Sequence, residues 1–212
     1  MTQIHSFIFN AFSENTYLLA EEDGSCLIID PGVSDGNERK KLEVFIKSHQ
    51  LNPTQIINTH CHIDHVLGNK WCKDMYGIPL GIPKGEEMVL ARLISVAQMY
   101  GVQAEPSPEP DFLMQEGEEI CCGEVCWQLI SAPGHSPASI CMYDPGQKIL
   151  IAGDVIFFES IGRTDLPGGN HQQLLQHIHG KILKLPDDVK VYPGHGPTTT
   201  IGHERIYNPF LN

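Results

Sequence analysis

Basic residues are scarce in this chain of 212 residues: 14 Lys and Arg stand against 26 Asp and Glu, a formal charge of -12. Between Leu93 and Gln147 there is no Lys or Arg at all. A surface of that sign repels phosphate backbones and anionic headgroups, so neither nucleic acid nor membrane is an expected partner. Long apolar runs are missing too. The most apolar segment, Met88–Met99, has Arg92 inside it, is too short to span a bilayer, and is read as core ahead of an interface between copies. The opening stretch MTQIHSFIFNAFSEN lacks a basic region followed by an apolar run and a cleavage site, so no signal peptide is expected and a cytoplasmic location is. Cysteine is too irregular for a disulfide scaffold. The seven residues, Cys26, Cys61, Cys72, Cys121, Cys122, Cys126 and Cys141, are odd in number and lack framework spacing, and are read as reduced thiols without a metal role. With 41% hydrophobic and 19% charged residues, 20 Gly and 15 Pro, coiled-coil and disordered classes are excluded. A single domain, 1–212, is expected.

Histidine is what the chain has in excess. There are 11, nearly as many as all Lys and Arg together, and imidazole is the commonest metal ligand and proton carrier.

Short β-rich runs at Ile4–Phe9, Thr16–Ala20 and Cys26–Asp30, closed by Asn10, Asp23-Gly24 and Pro31-Gly32, predict an antiparallel meander. Asn37–His49 places Leu42, Phe45, Ile46 and His49 on one face behind Asp35, predicting a capped amphipathic helix. A strand at Gln55–Asn58 follows. Helices are expected near Val66–Tyr76 and Glu86–Tyr100 with a strand near Pro79–Ile82 between them, and Pro106, Pro108 and Pro110 mark an extended loop. Strands at Glu118–Cys122, Val125–Ser131, Ser139–Tyr143 and Lys148–Ala152 come next. A helix at His171–Leu183 capped by Asn170, a strand at Lys190–Tyr192 and a short helix at Gly202–Tyr207 complete the chain. Strand groups in both halves, each with helices, suggest an α/β fold in which two sheets pack face to face with helices outside, a four-layer αββα sandwich; element order alone does not fix it, and the motifs below do.

The segment Thr59-His60-Cys61-His62-Ile63-Asp64-His65 follows a predicted strand. If it stays extended, His60 and His62 point to one side while the loop turns Asp64 and His65 toward a neighbouring point, and Cys61 faces away into packing. A polar surface loop is the bland alternative. Three further segments weigh against it: Pro133-Gly134-His135-Ser136, Ala152-Gly153-Asp154 and Pro193-Gly194-His195-Gly196 each set one ligand-type residue just after a strand, beside a Gly that permits a sharp turn. Imidazole and carboxylate together suit zinc or iron.

In this order the pattern HxHxDH, His, Asp, His resembles the metallo-β-lactamase superfamily over nearly the whole chain. The resemblance implies two divalent metal ions, zinc ahead of iron or manganese. It places His60, His62 and His135 on one, Asp64, His65 and His195 on the other, and Asp154 between them. It also implies a metal-bridging hydroxide as nucleophile, with Asp64 and Asp154 as catalytic carboxylates. The run Gly153–Asp165 and the tail Glu204–Phe210 are similar to the glyoxalase II (hydroxyacylglutathione hydrolase) group and its short bacterial relatives, implying hydrolysis of a small-molecule thioester. Arg163 and Arg205 are candidate substrate contacts, each also able to serve an ordinary ion pair or to pin the chain's end. At the family's thiol-binding Lys and Tyr positions this chain has Arg163, Asp165 and Pro197, and only Arg163 keeps a cation.

Alternatives stay open. Persulfide dioxygenases share the GRTD segment and use one iron, here on His60, His135 and Asp154, but have a Cys where this chain has Ile161. Hydrolysis of another ester or lactone, and a non-catalytic metal-binding interaction module, are the others.

Overall fold

A computed structural model describes residues 1–211 and has the four layers in the expected order. The first sheet runs β1 (Gln3–Phe9), β2 (Glu14–Ala20), β3 (Ser25–Ile29), β4 (Asn52–Ile57), β5 (Leu80–Pro83) and β6 (Phe112–Met114), each beside the next. Its first three strands form the antiparallel meander, and β3 to β6 are parallel. The parallel half is possible because helices carry the return connections: α1 (Gly36–Ser48) between β3 and β4, α2 (Ile63–Val66) and α3 (Asn69–Tyr76) before β5, and α4 (Glu87–Leu90) and α5 (Leu93–Tyr100) before β6. Asp35 caps α1, accepting the amide N–H of Asn37 and of Glu38.

The second sheet contains β7 (Glu119–Cys122), β8 (Val125–Ser131), β9 (Ile140–Asp144) and β10 (Ile149–Gly153). After a small hairpin, β11 (Ile156–Phe157) and β12 (Ser160–Ile161), and helix α6 (His171–Gly180), β13 (Lys190–Pro193) lies parallel to β10 and β14 (Thr199–Thr200) closes the edge. Helix α7 (Ile201–Tyr207) ends the fold.

Three apolar layers hold these four together. Leu19, Leu27, Ile29 and Ile57 meet Trp127, Leu129, Met142 and Ile151 between the sheets. Leu18, Ile28 and Ile56 pack on Leu42, Ile46, Cys72 and Leu93 beneath α1, α3 and α5, and Leu150, Ala152 and Val191 pack on Leu174 and Ile178 of α6. β2 and β3 are buried on both faces, so alternating residues serve two different cores. No helix among the described residues is long and apolar enough to cross a membrane.

Three expectations are corrected. The helix expected over Glu86–Tyr100 is two, because the Arg92 N–H bonds to Val89 O in a tightened turn; Leu90, Leu93 and Ala97 are buried, while Met88 and Met99 are exposed. The segment after the prolines is not all loop, since Phe112–Met114 pairs in parallel with β5. Not every cysteine is a free thiol: Cys121 and Cys126 face each other across the β7–β8 ladder and are joined as a disulfide, while Cys26, Cys61, Cys72, Cys122 and Cys141 are free and buried.

Burial pushes the Cys26 and Cys141 thiols up to about 12, so they stay protonated as well as covered. A colorimetric thiol count without reductant is therefore expected to give no reaction for the native protein and five thiols once it is denatured, with seven only after reduction. Seven thiols in denaturant alone would contradict the pairing.

Candidate metal centre

Every expected ligand leaves its strand at the same edge of the sandwich. His60–His65 follows β4, His135 follows β8, Asp154 follows β10 and His195 follows β13. At this edge the sheets are tied directly, through a bridge between Glu14 and His195 and the Asn15 N–H donating to Gly194 O at 2.7 Å. Asn15 Nδ2 also donates to Pro193 O and Gly196 O, and Asn10 Nδ2 donates to Asp64 O at 2.9 Å, so the β1–β2 turn braces both ligand loops.

Two groups of ligand atoms result. In the first, His62 Nδ1 is 2.8 Å and His60 Nε2 is 3.2 Å from His135 Nε2. In the second, His195 Nε2 is 3.1 Å and His65 Nε2 is 3.7 Å from Asp64 Oδ2. Asp154 lies between them, with Oδ1 3.4 Å from His65 Nε2 and Oδ2 3.3 Å from His135 Nε2 and 3.6 Å from His195 Nε2. All seven expected residues are thus brought together, and Cys61 is buried away from them as its alternation implied.

Nitrogens that converge this closely cannot all carry protons. Burial, then the neighbouring imidazoles, pushes His60 well below the ordinary range, and the same causes bring His62 down to about 4, so both are neutral donors of lone pairs near neutrality. His135 Nδ1 is 2.7 Å from Arg163 O; donating there, it leaves Nε2 free to coordinate. Buried His65 Nε2 and Asp154 Oδ1 have no hydrogen-bond partner. Orphaned atoms of this kind are rare unless a ligand completes them, and with an N/O donor set they fit divalent cations. The residues that would hold them are His60, His62 and His135 on one side and Asp64, His65 and His195 on the other, with Asp154 serving both.

Supporting residues went unrecognised in the sequence. Asp30, read there as the end of a strand before a turn, is buried; it accepts from Thr59 N at 2.7 Å and Thr59 Oγ1 at 2.6 Å, and its Oδ2 is 3.1 Å from His65 Nδ1. A carboxylate behind a ligand imidazole fixes its orientation and raises its basicity. A strand-end Asp before Pro-Gly was the only available signal. Glu14, also fully buried, accepts from Thr16 Oγ1.

Each of the two arginines makes an ion pair, the alternative the sequence left open for both. Arg163 is 58% exposed and paired with Asp165 through two hydrogen bonds of 2.8 and 2.7 Å. Arg205 is a correction: it pairs with Asp187 and donates to Leu183 O and Leu185 O, so its guanidinium secures the turn that follows α6. Phe157 stands edge-on to His195, ring centroids 6.0 Å apart, as an apolar wall.

Close packing leaves no room at Gly194, where an added Cβ would fall 2.1 Å from Asp154 Oδ1 and 2.8 Å from His65 Cε1. Gly194→Ala is expected to displace both ligands and lower bound metal below one equivalent in elemental analysis, whereas Gly180→Ala, in open space, leaves it unchanged.

A buried two-group histidine–carboxylate centre on the edge of an αββα sandwich defines a metal-dependent enzyme fold. The model of the metallo-beta-lactamase superfamily matches residues 10–195, and the chain belongs to that superfamily. It is 38% identical over 200 residues to the "Probable metallo-hydrolase YqgX" of Bacillus subtilis, covering 93% of this chain and 92% of that one. It is 34% identical over 204 residues to the "Hydroxyacylglutathione hydrolase GloC" of Haemophilus influenzae, covering 95% and 94%. Among solved structures, the BLEG-1 B3 metallo-beta-lactamase superposes with a TM-score of 0.90 at 35% identity over 99% of both chains. TTHA1623 in a di-iron-bound form superposes at 0.88 and 32%, over 98% of this chain and 100% of the other.

Proposed function

We propose that the protein is a hydrolase of small-molecule thioesters, of the glyoxalase II type, working with two divalent ions. The observation that carries this reading is the position of Asp154 between the two ligand groups, with Oδ1 facing His65 of one and Oδ2 facing both His135 of the other and His195. The likeness to a hydroxyacylglutathione hydrolase over 95% of the chain supports the substrate class. Two bound cations would supply a nucleophile at neutral pH and Lewis-acid stabilisation of the oxyanion. The chain's own residues do the rest. Asp64, whose Oδ2 is 3.1 Å from His195 Nε2, is placed in the second group to orient the attacking water. A thiolate leaves without strong acid assistance. The exposed Arg163–Asp165 pair is weak enough to open for a carboxylate on the substrate.

One observation favours a second reading. His60, His135 and Asp154 also converge as two imidazoles and one carboxylate, the set used by mononuclear iron oxygenases. Likeness to ETHE1 from Myxococcus xanthus, at 22% identity, extends to the fold alone.

The deciding experiment assays S-lactoylglutathione hydrolysis, oxygen uptake with glutathione persulfide, and nitrocefin hydrolysis on one preparation of known metal content. Thioester turnover without oxygen uptake is expected. Oxygen uptake with one iron per chain would replace the proposal by the dioxygenase, and nitrocefin turnover alone would replace it by a β-lactamase.

A further inference from the structure

The first ligand group is assembled from both sheets: His60 and His62 leave β4 of one, His135 leaves β8 of the other. Something must hold these loops at a fixed separation, because small errors between ligands weaken a metal site. Glu86 lies where it can do so. β5 is the parallel neighbour of β4, so the corner after it, Lys84–Glu86, emerges at the ligand edge beside the His60–His62 loop. The corner also abuts the His135 loop, since a Cβ on Gly85, at φ +111°, would lie 3.0 Å from the Ala138 Cβ.

The Glu86 side chain is fully buried, and its hydrogen bonds all come from these two loops. Oε2 accepts from the amide N–H of Cys61, between His60 and His62, at 2.9 Å. Oε1 accepts from the Ser136 hydroxyl at 2.6 Å and the Ala138 N–H at 2.8 Å, just past His135. Ser136 Oγ is in turn 2.8 Å from Ser139 Oγ. We propose that Glu86 is a positioning residue which clamps the His60–His62 loop to the His135 loop and sets the geometry of the first metal site without touching the metal. The proposal rests on the metal centre and not on the choice of substrate.

No conservative variant can replace it. A Gln at 86 has one acceptor oxygen: aimed at Ala138, it leaves its NH₂ facing the Cys61 N–H, and turned over, it faces the Ala138 N–H. One backbone donor is stranded either way. An Asp at 86 is one methylene too short to span the loops.

The test measures zinc affinity by chelator competition, and the unfolding midpoint of the metal-free protein, for the wild type, Glu86→Gln and Glu204→Gln. Glu204 is the control: it is equally buried and bonded to Thr199 Oγ1, Glu159 N and Asn208 Nδ2, but it ties down the C-terminal segment. E86Q is expected to lower one of the two zinc affinities by about 10–100-fold, the size of other losses behind a ligand, and to leave the other close to the wild-type value. E204Q is expected to lower the midpoint while leaving affinity unchanged. If E86Q fails to fold, Ser136→Ala, which removes one of the three bonds, is expected to give a smaller loss of affinity in the same direction. Unchanged affinity in E86Q or S136A, or an equal loss in E204Q, overturns the proposal.

Discussion

Asp154→Asn is expected to lower kcat/KM for thioester hydrolysis by about 10³-fold, the upper end of what one lost charge-stabilising group costs, and to leave fewer than two metal ions per chain. The side chain is buried at the end of β10. Burial alone would raise its pKa, but His65, His135 and His195 reverse this and hold it well below the usual range, so it is a carboxylate. Its charge is shared, with Oδ1 toward His65 and Oδ2 toward His135 and His195. An amide has one acceptor and one donor end. Whichever way it turns, its NH₂ meets one ligand group, and the cation there loses both a ligand and a neutralising charge. Elemental analysis with steady-state kinetics checks this; a variant with two ions and unimpaired turnover would remove Asp154 from the centre.

Removing both ions with a chelator is the second large effect. Ligands that bind only the folded state stabilise it by about 4 kcal/mol each at a thousandfold excess over Kd. For a chain of this size that implies a fall of about 15 °C or more in unfolding midpoint. The fall should depend on pH, and its sign follows from the imidazoles. In the metal-free protein burial lowers the pKa of His65, but Asp64, Asp154 and Asp30 raise it further, and His195 is raised also, by Asp64 and Asp154 against its burial. A raised folded-state pKa contributes stability that is complete below the ordinary imidazole value of about 6.5 and is lost as pH rises through the folded value. Protons on His65 and His195 thus stand in for the missing cations in acid and leave in base. His60 and His62, both lowered, are already neutral across this window. Calorimetry with and without chelator is expected to find a wider gap at about pH 9 than at about pH 6.5; a gap that narrows with pH would contradict it.

The ligands were legible because each lies in a short run with its own signal: HxHxDH within six residues, and a Gly beside His135, Asp154 and His195 where the strand must turn. The distribution of strands and helices in the two halves only suggested the sandwich; the order of the ligand motifs fixed it. What stayed hidden depends on contacts between distant segments. Asp30 reaches Thr59 and His65, and Glu86 reaches Cys61 and Ala138, yet alone each is one acid beside a turn. The Cys121–Cys126 pair needs the register of the β7–β8 hairpin, which five residues of sequence do not specify. Arg205 could be read toward substrate only until Asp187 and two carbonyls were seen to occupy it.

The measurement that tests the central claim most directly is thioester turnover as metal is added back to the chelated protein one equivalent at a time. The seven-ligand centre predicts that activity develops with the second equivalent and reaches its plateau at two ions per chain. Full activity at one equivalent, or none with two bound, would contradict it.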